Sequence, residues 1–333
     1  MLTEAQIGQF AEDGFLVVRD VFDDADLDPV VAEYETALDA AARHLHQRGE
    51  IESPLVDLPF ADRYTALIRE NPAIFYHLGI SLPLDFETLD PDFVTVHTGS
   101  AVFGLMRHRK ILDVVESVIG PEISSNPVQQ VRLKPPQHLL EGAMAEYSNV
   151  GATTWHQDYG AVMAEAADTE LLTVWIAMTE ATEQMGCLQA IPGSHRASEL
   201  TLHCPGVRNA AENYIPQTLL DRHGTAPVSL ECDRGSIILL TRFTEHGALP
   251  NRSDRLRWSF DLRYQPTGKP TGRPAFPSFV LRSRANPNSE VTDPAGYARG
   301  WDDARRRIVG GKHDGPLYEQ GRWLANRSNP VCA

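Results

Sequence analysis

The chain has 333 residues, 42% of them hydrophobic and 23% charged, a mixture that supports a packed core over one or two domains and excludes a globally disordered chain. Lysine and arginine number 30 against 45 acidic residues, a net charge of −15; so acidic a surface repels phosphate backbones and anionic lipid, and neither nucleic acid nor membrane is expected as a partner. Four cysteines (Cys187, Cys204, Cys232, Cys332) lie far apart with no CxxC pair, which argues against a zinc knuckle or a redox dithiol. The N-terminus MLTEAQIGQF lacks a basic region followed by an apolar run, no stretch has the ~18 apolar residues of a membrane span, and a reducing, cytoplasmic location is expected.

In chain order, Thr3 to Gln6 reads as a capping box opening a helix that Gly14 closes, and Phe15–Val18 follows as a short buried strand. Residues 24–46 read as a second helix, with Leu27, Val30, Tyr34, Leu38, Ala41 and Leu45 on one stripe. Residues 49–105 look irregular, and 108–120 read as a helix ended by Gly120. From about 127 to 266 come short β-rich runs separated by turn residues, the pattern of a sandwich or barrel. Two runs alternate distinctively. Arg257, Ser259, Asp261 and Arg263 share one face of a strand, opposite Trp258, Phe260, Leu262 and Tyr264, while Gln130, Arg132 and Lys134 oppose Val131 and Leu133. Either the polar face meets solvent, or the apolar face packs on helices and the polar face lines a ligand-filled interior. Residues 196–226 interrupt the β-rich stretch, and 267–333 show little periodicity. With no linker-like break, a single domain is expected: helical support over 1–126, a β core over 127–266 with a lid insertion at 196–226, and a C-terminal extension over 267–333. Segments 49–105 and 196–226 are the candidate substrate lid.

The chemistry centres on Trp155-His156-Gln157-Asp158. On a strand, residues i and i+2 project to the same side, so His156 and Asp158 can converge on one metal, and an imidazole with a carboxylate suits Fe(II) with open coordination positions. His246, at the exit of the apolar run 235–240, is the candidate third ligand. With 12 His and 23 Asp in 333 residues, chance alone places roughly one HxD, so the weight falls on the order that follows: an apolar strand at 171–178, a PGSH turn at 192–195, His246, and Arg257 eleven residues later on a polar strand face, where a guanidinium can grip a carboxylate. His44, His46, His77, His97, His108, His138 and His313 have no partner at metal spacing, His195 reads as a turn residue, and His203 and His223 of the insertion are candidates to touch substrate. GxSxG, GxGxxG and P-loop motifs are absent.

LTEAQIGQFAEDGFLVV (2–18), LKPP (133–136), WHQD (155–158), TVWIAMTEATEQMGCLQAIPGSHR (173–196) and HGALPNRSDRLR (246–257) occur in that order. Over about residues 3–266 the chain resembles the phytanoyl-CoA dioxygenase-like family of Fe(II)/2-oxoglutarate oxygenases. The resemblance implies a mainly β fold, a double-stranded β-helix (jelly roll, cupin-like) with N-terminal helices packed on it. It further implies that His156, Asp158 and His246 bind iron, that Arg257 binds the far carboxylate of 2-oxoglutarate, and that Gln157, Trp175 and Lys134 lie near the cosubstrate. The implied reaction uses O2 and 2-oxoglutarate, releases succinate and CO2, and hydroxylates an unactivated C–H bond, with desaturation, cyclisation or epoxidation as other outcomes. Some family members carry Ser two residues after the distal His; this chain has Ala248. Related halogenases have a small residue where Asp158 stands, so halogenation is not expected. The substrate expected is a small organic molecule in a bacterial natural-product tailoring step, with a fatty acyl-CoA as the alternative. A keto-acid-independent cupin-like metalloenzyme and a non-catalytic jelly-roll binding module are the competing classes.

Overall fold

The computed structural model describes residues 1–83, 90–140, 147, 149–206, 213–313, 317 and 323–332. Helix α1 (Glu4–Asp13) opens with the Thr3–Gln6 capping box and ends at Gly14, whose φ of 83° is the left-handed cap that glycine adopts without strain. Strand β1 (Phe15–Val18) follows. Helix α2 (Asp24–Gln47) starts at a second capping box, Asp23 with Asp26, and the whole predicted stripe from Leu27 to Leu45 is buried.

Residues 49–105 depart from the expectation of an irregular segment: they contain α3 (Phe60–Glu70), a 3₁₀ stretch Pro72–Leu78 and α4 (Ser100–Met106). Neither α3 nor α4 has a side-chain cap of its own. The first amides of α4 are capped from α2, where the Glu33 carboxylate accepts from Ala101 N–H (2.7 Å) and Val102 N–H (3.1 Å). A cap supplied from so distant a residue leaves no local start signal. Helix α5 (Arg109–Ile119) matches the predicted one, with Gly120 at its end.

Strand β2 (Glu122–Lys134) begins before the β-rich stretch expected from 127. It joins β4 (Leu172–Ala177), β9 (Ile237–Thr241), β11 (Arg257–Pro266) and β12 (Val280–Ser283) in a six-stranded antiparallel sheet, ordered β1-β9-β4-β11-β2-β12. A second antiparallel sheet runs β3-β10-β5-β8, from β3 (Thr153–His156), β5 (Leu188–Ala190), β8 (Val228–Leu230) and β10 (His246–Ala248), and within the insertion β6 (Cys204–Pro205) pairs antiparallel with β7 (Asn213–Tyr214). The C-terminal region is more ordered than its composition suggests: besides β12 it holds α6 (Pro294–Val309), capped by Asp293 and burying Tyr297, Trp301, Ala304 and Ile308 beneath a surface of arginine and aspartate.

The alternation along β11 resolves into an interior polar face. Trp258, Phe260, Leu262 and Tyr264 join the large apolar cluster that includes the helices, and each such burial contributes about 1.5–3 kcal/mol. On the other side Arg257, Ser259, Asp261, Arg263 and Gln265 are also buried. A second cluster, with Trp175, Ile238 and Leu240 from the large sheet and Leu188, Leu230 and Ala248 from the small one, packs the sheets together. Cys204 and Cys332, whose spacing gave no reason to pair them, form a disulfide that ties the 196–226 insertion to the C-terminal segment, while Cys187 and Cys232 are free and buried. No described helix is long and apolar enough to cross a membrane.

Candidate active site

His156 ends β3 and His246 begins β10, and the two residues pair directly in the antiparallel register. Their rings lie 4.3 Å apart between centroids. Asp158 follows two residues after His156, at the start of a 3₁₀ turn. One donor atom from each of His156, Asp158 and His246 lies within 4.8 Å of the others, a grouping able to hold a metal ion. The local backbone orients both imidazoles. Nδ1 of His156 sits 2.8 Å from the Thr154 carbonyl, and Nδ1 of His246 sits 2.9 Å from the Thr244 carbonyl. Donation to those oxygens fixes the proton on Nδ1 and leaves Nε2 as the ligand atom.

The protonation states suit a cation. Burial, reinforced by His246, holds the His156 pKa well below its ordinary value, so the ring is neutral. Burial alone would raise the pKa of Asp158, but Arg263 and the two histidines overcome it and hold the carboxyl well below the usual carboxylate range. Arg263 Nη2 pairs with one oxygen of Asp158 and Thr173 Oγ1 donates to the other. Neutral imidazoles with an ionised carboxylate are what metal binding requires.

Arg257 lies on the same interior strand face and is fully buried. Its Nη1 donates to Ser259 Oγ at 2.8 Å, and its Cζ stands 5.4 Å from the Trp175 ring centroid. Its Nε and Nη2, and Trp175 Nε1, are buried with no hydrogen-bond partner among the described residues. Burial pulls the guanidinium pKa down to about 10. A buried cation with unused donors is costly by itself and fits a planar carboxylate. Lys134 stands opposite Arg257 in the β2–β11 pairing and donates from Nζ to Thr153 Oγ1 at 2.6 Å.

The side chain of Gln157 turns toward the 196–226 insertion and the Phe243 carbonyl. Its side-chain amide donates to the carbonyls of Glu199 (3.2 Å) and Phe243 (2.8 Å) and accepts from Thr201 N–H (2.7 Å). Lying between two residues that face one way along the chain, it projects the other way and anchors the insertion. His203 and His223 are likewise structural. His203 Nε2 accepts from Gln157 N–H at 3.1 Å, and His223 Nε2 lies 2.8 Å from Glu245. His195 shapes a turn as expected, with Nε2 3.1 Å from the Ala11 carbonyl.

A cavity of about 160 Å³ opens beside His156 and Asp158. Phe75, Tyr76, Ser81 and Leu82 come from one candidate lid segment and Asn213 from the other, while Gln130, Arg132, Asn149, Arg263 and Arg273 supply polar wall. Residues 84–89 and 207–212 of those segments lie outside the described residues. Three site features escaped the sequence reading: the Arg132–Asp261 pair (2.5 Å), the clamp of Arg263 and Thr173 on Asp158, and Glu245. Buried beside His246, Glu245 accepts from Thr201 Oγ1 (2.5 Å) and Arg222 Nη2 (3.0 Å). Arg263 and Asp261 carry a signal in the polar alternation of β11; Glu245 carries none, because its partners lie in the insertion.

A family profile described as phytanoyl-CoA dioxygenase (PhyH) matches residues 10–259. Curated relatives named phytanoyl-CoA dioxygenase domain-containing protein 1 homolog include one from Caenorhabditis elegans, 24% identical over 263 residues (76% of this chain, 88% of that protein). One from Dictyostelium discoideum is 23% identical over 286 residues (79% and 91%). Among solved structures, the non-heme monooxygenase ThoJ in its apo form is similar in fold, with a TM-score of 0.53, 17% identity, and coverage of 91% of this chain and 98% of that one.

Proposed function

Because the chain belongs to the phytanoyl-CoA dioxygenase family, whose non-heme oxygenases use Fe(II), 2-oxoglutarate and O2, we propose that His156, Asp158 and His246 hold the iron, that Arg257 anchors the far carboxylate of 2-oxoglutarate, and that the reaction hydroxylates an unactivated C–H bond of a small organic molecule. The observation that carries this reading is the convergence of three ligand-competent groups, the imidazoles of His156 and His246 and the ionised carboxylate of Asp158, on a single point of the interior. The proposed architecture is one domain, a jelly roll formed by the two antiparallel sheets with helices packed on its outer apolar face.

When bound, iron and the keto acid would together activate O2, which is the oxidant for the C–H bond. The chain's own residues do the rest. The Thr154 and Thr244 carbonyls aim the two imidazoles. Arg263 and Thr173 hold both oxygens of Asp158 and so restrict the direction from which it approaches a metal. Arg257 offers donors that have no partner among the described residues, against the Trp175 face, and Lys134 adds positive charge on the neighbouring strand. Gln157, Glu245 and His203 keep the insertion docked over the site. Ala248 offers no hydroxyl where some relatives have Ser, so the cosubstrate depends the more on Arg257. The buried, unsatisfied guanidinium also favours this reading over a keto-acid-independent enzyme, which has no use for it.

The substrate is proposed to be a small molecule of a bacterial tailoring pathway. Anaerobic equilibrium dialysis against Fe(II) tests the ligand set. The wild type should hold one tight ion per chain, and His156→Ala and His246→Ala should hold none. Undiminished iron in either variant refutes the assignment.

A further inference from the structure

The charged wall of the cavity is lopsided. Arg132, Arg263 and Arg273 line it, each at least nine-tenths buried (7%, 4% and 6% exposed), and Asp158 is the one acidic lining residue among those described. Arg132 is held by Asp261 at 2.5 Å and by Asn149 at 3.1 Å. Arg273 donates to the carbonyls of Ala161 (2.8 Å) and Leu317 (3.4 Å). Arg263 Nη1 donates to the Val128 carbonyl at 3.0 Å, Nη2 pairs with Asp158, and Nε is buried without a partner among the described residues. If Asp158 is a metal ligand, as proposed above, its charge is engaged by a dication. Iron and 2-oxoglutarate bring opposite double charges, so together they leave the balance unchanged. Arg263 is then a buried cation with donor capacity left over, beside the reacting centre.

We propose, resting on that reading, that the substrate carries a carboxylate that docks on Arg263 beside the metal, so that the enzyme oxidises a small organic acid. The fork of a guanidinium matches a carboxylate in plane and spacing. The space agrees: the cavity holds about 160 Å³, close to the ~150 Å³ apolar cavity that admits benzene, which suits an acid built on one ring or a short chain. A fatty acyl thioester lacks the charge that the fork would answer, since its carbonyl is neutral. Replacing the acid by an amide would leave the buried charge unanswered, an effect of about 10- to 100-fold in affinity.

The test uses the protein loaded anaerobically with Fe(II) and 2-oxoglutarate, so that Arg257 is occupied. It is titrated calorimetrically with benzoate, phenylacetate, 3-phenylpropanoate, cinnamate and hexanoate, and with the primary amide of each. The expected result is that at least one acid binds about 10- to 100-fold more tightly than its amide. That preference should collapse in Arg263→Gln and survive in part in Arg263→Lys, which keeps the charge without the fork. Equal binding of acids and amides, no binding by any acid, or an undiminished preference in Arg263→Gln overturns the assignment. If Arg263→Gln no longer holds iron, Arg263→Lys carries the comparison, and a wild-type preference that Lys leaves wholly unchanged counts against docking on the fork. Failure of the wild type to take up iron and 2-oxoglutarate at all is a separate result, and it contradicts the oxygenase reading first.

Discussion

Replacing Arg257 by Gln should separate stability from function. In the protein without cosubstrate, burial depresses the guanidinium pKa from 12.5 to about 10, a penalty on the order of 3 kcal/mol on the charged form. A cation whose folded pKa is lowered opposes folding throughout the range where it is protonated in both states. The opposition is relieved as pH rises through the folded pKa, because the unfolded chain then binds the extra proton. Gln removes the charge but leaves a buried amide, which takes back about 1–3 kcal/mol. The variant without cosubstrate should therefore be at least as stable as the wild type at neutral pH, by up to about 2 kcal/mol, and the difference should close above pH 10. With cosubstrate the sign reverses. Removing one partner of a buried charged pair costs about 3–5 kcal/mol, or two to nearly four decades in affinity. Urea unfolding gives the first quantity and anaerobic calorimetry with 2-oxoglutarate the second. A variant that is markedly less stable yet binds 2-oxoglutarate within threefold of wild type would falsify the reasoning, since Arg257 would then be a structural residue with the anchor elsewhere.

Asp158→Asn should destabilise the metal-free protein by about 3 kcal/mol at neutral pH, because Arg263 loses its buried counter-charge. Since the folded pKa of Asp158 is depressed, its contribution is present above the ordinary carboxylate pKa and fades as pH falls, so the gap to wild type should narrow in acid; a pH-independent gap contradicts the pairing. Glu245→Ala removes a buried acceptor shared by Thr201, Arg222 and His223. With Arg222 partly exposed, the loss should be about 2–3 kcal/mol by chemical denaturation, with faster proteolysis within 196–226, and an unchanged midpoint speaks against docking through Glu245. Burial pushes the Cys187 thiol up to about 11 and the Cys232 thiol up to about 12, while Cys204 and Cys332 are joined. Ellman titration should accordingly find no fast thiol in the native protein, two after denaturation and four after reduction; four on denaturation alone rules out the disulfide.

The legible parts of the sequence were those written locally. The Thr3–Gln6 capping box, the stripe of α2 and the glycine ends of α1 and α5 depend on neighbours within a few residues, and all appear where expected. The cluster of His156, Asp158 and His246 was legible because an i, i+2 pair on a strand leaves few geometries and the third residue follows an unmistakable apolar strand. What was not legible depends on distant partners. Helix α4 takes its cap from Glu33. Helix α6 hides its stripe of Tyr297, Trp301, Ala304 and Ile308 among arginines and aspartates that dominate the composition. The polar face of β11 reads identically whether it meets water or an interior. Only the apolar packing of Trp258 and Phe260 beneath the helices decides it. The contacts of Gln157 with Glu199, Thr201 and Phe243 were not legible either, because those partners lie more than 40 residues away.

The central claim is that iron and the keto acid bind together on this cluster. Anaerobic protein titrated first with Fe(II) and then with 2-oxoglutarate should develop a weak visible absorption band only when both are present. The band should vanish in His246→Ala and require far more 2-oxoglutarate in Arg257→Gln. A wild-type protein that binds iron tightly but shows no band with saturating 2-oxoglutarate would contradict the account, leaving a metalloprotein that does not use the keto acid.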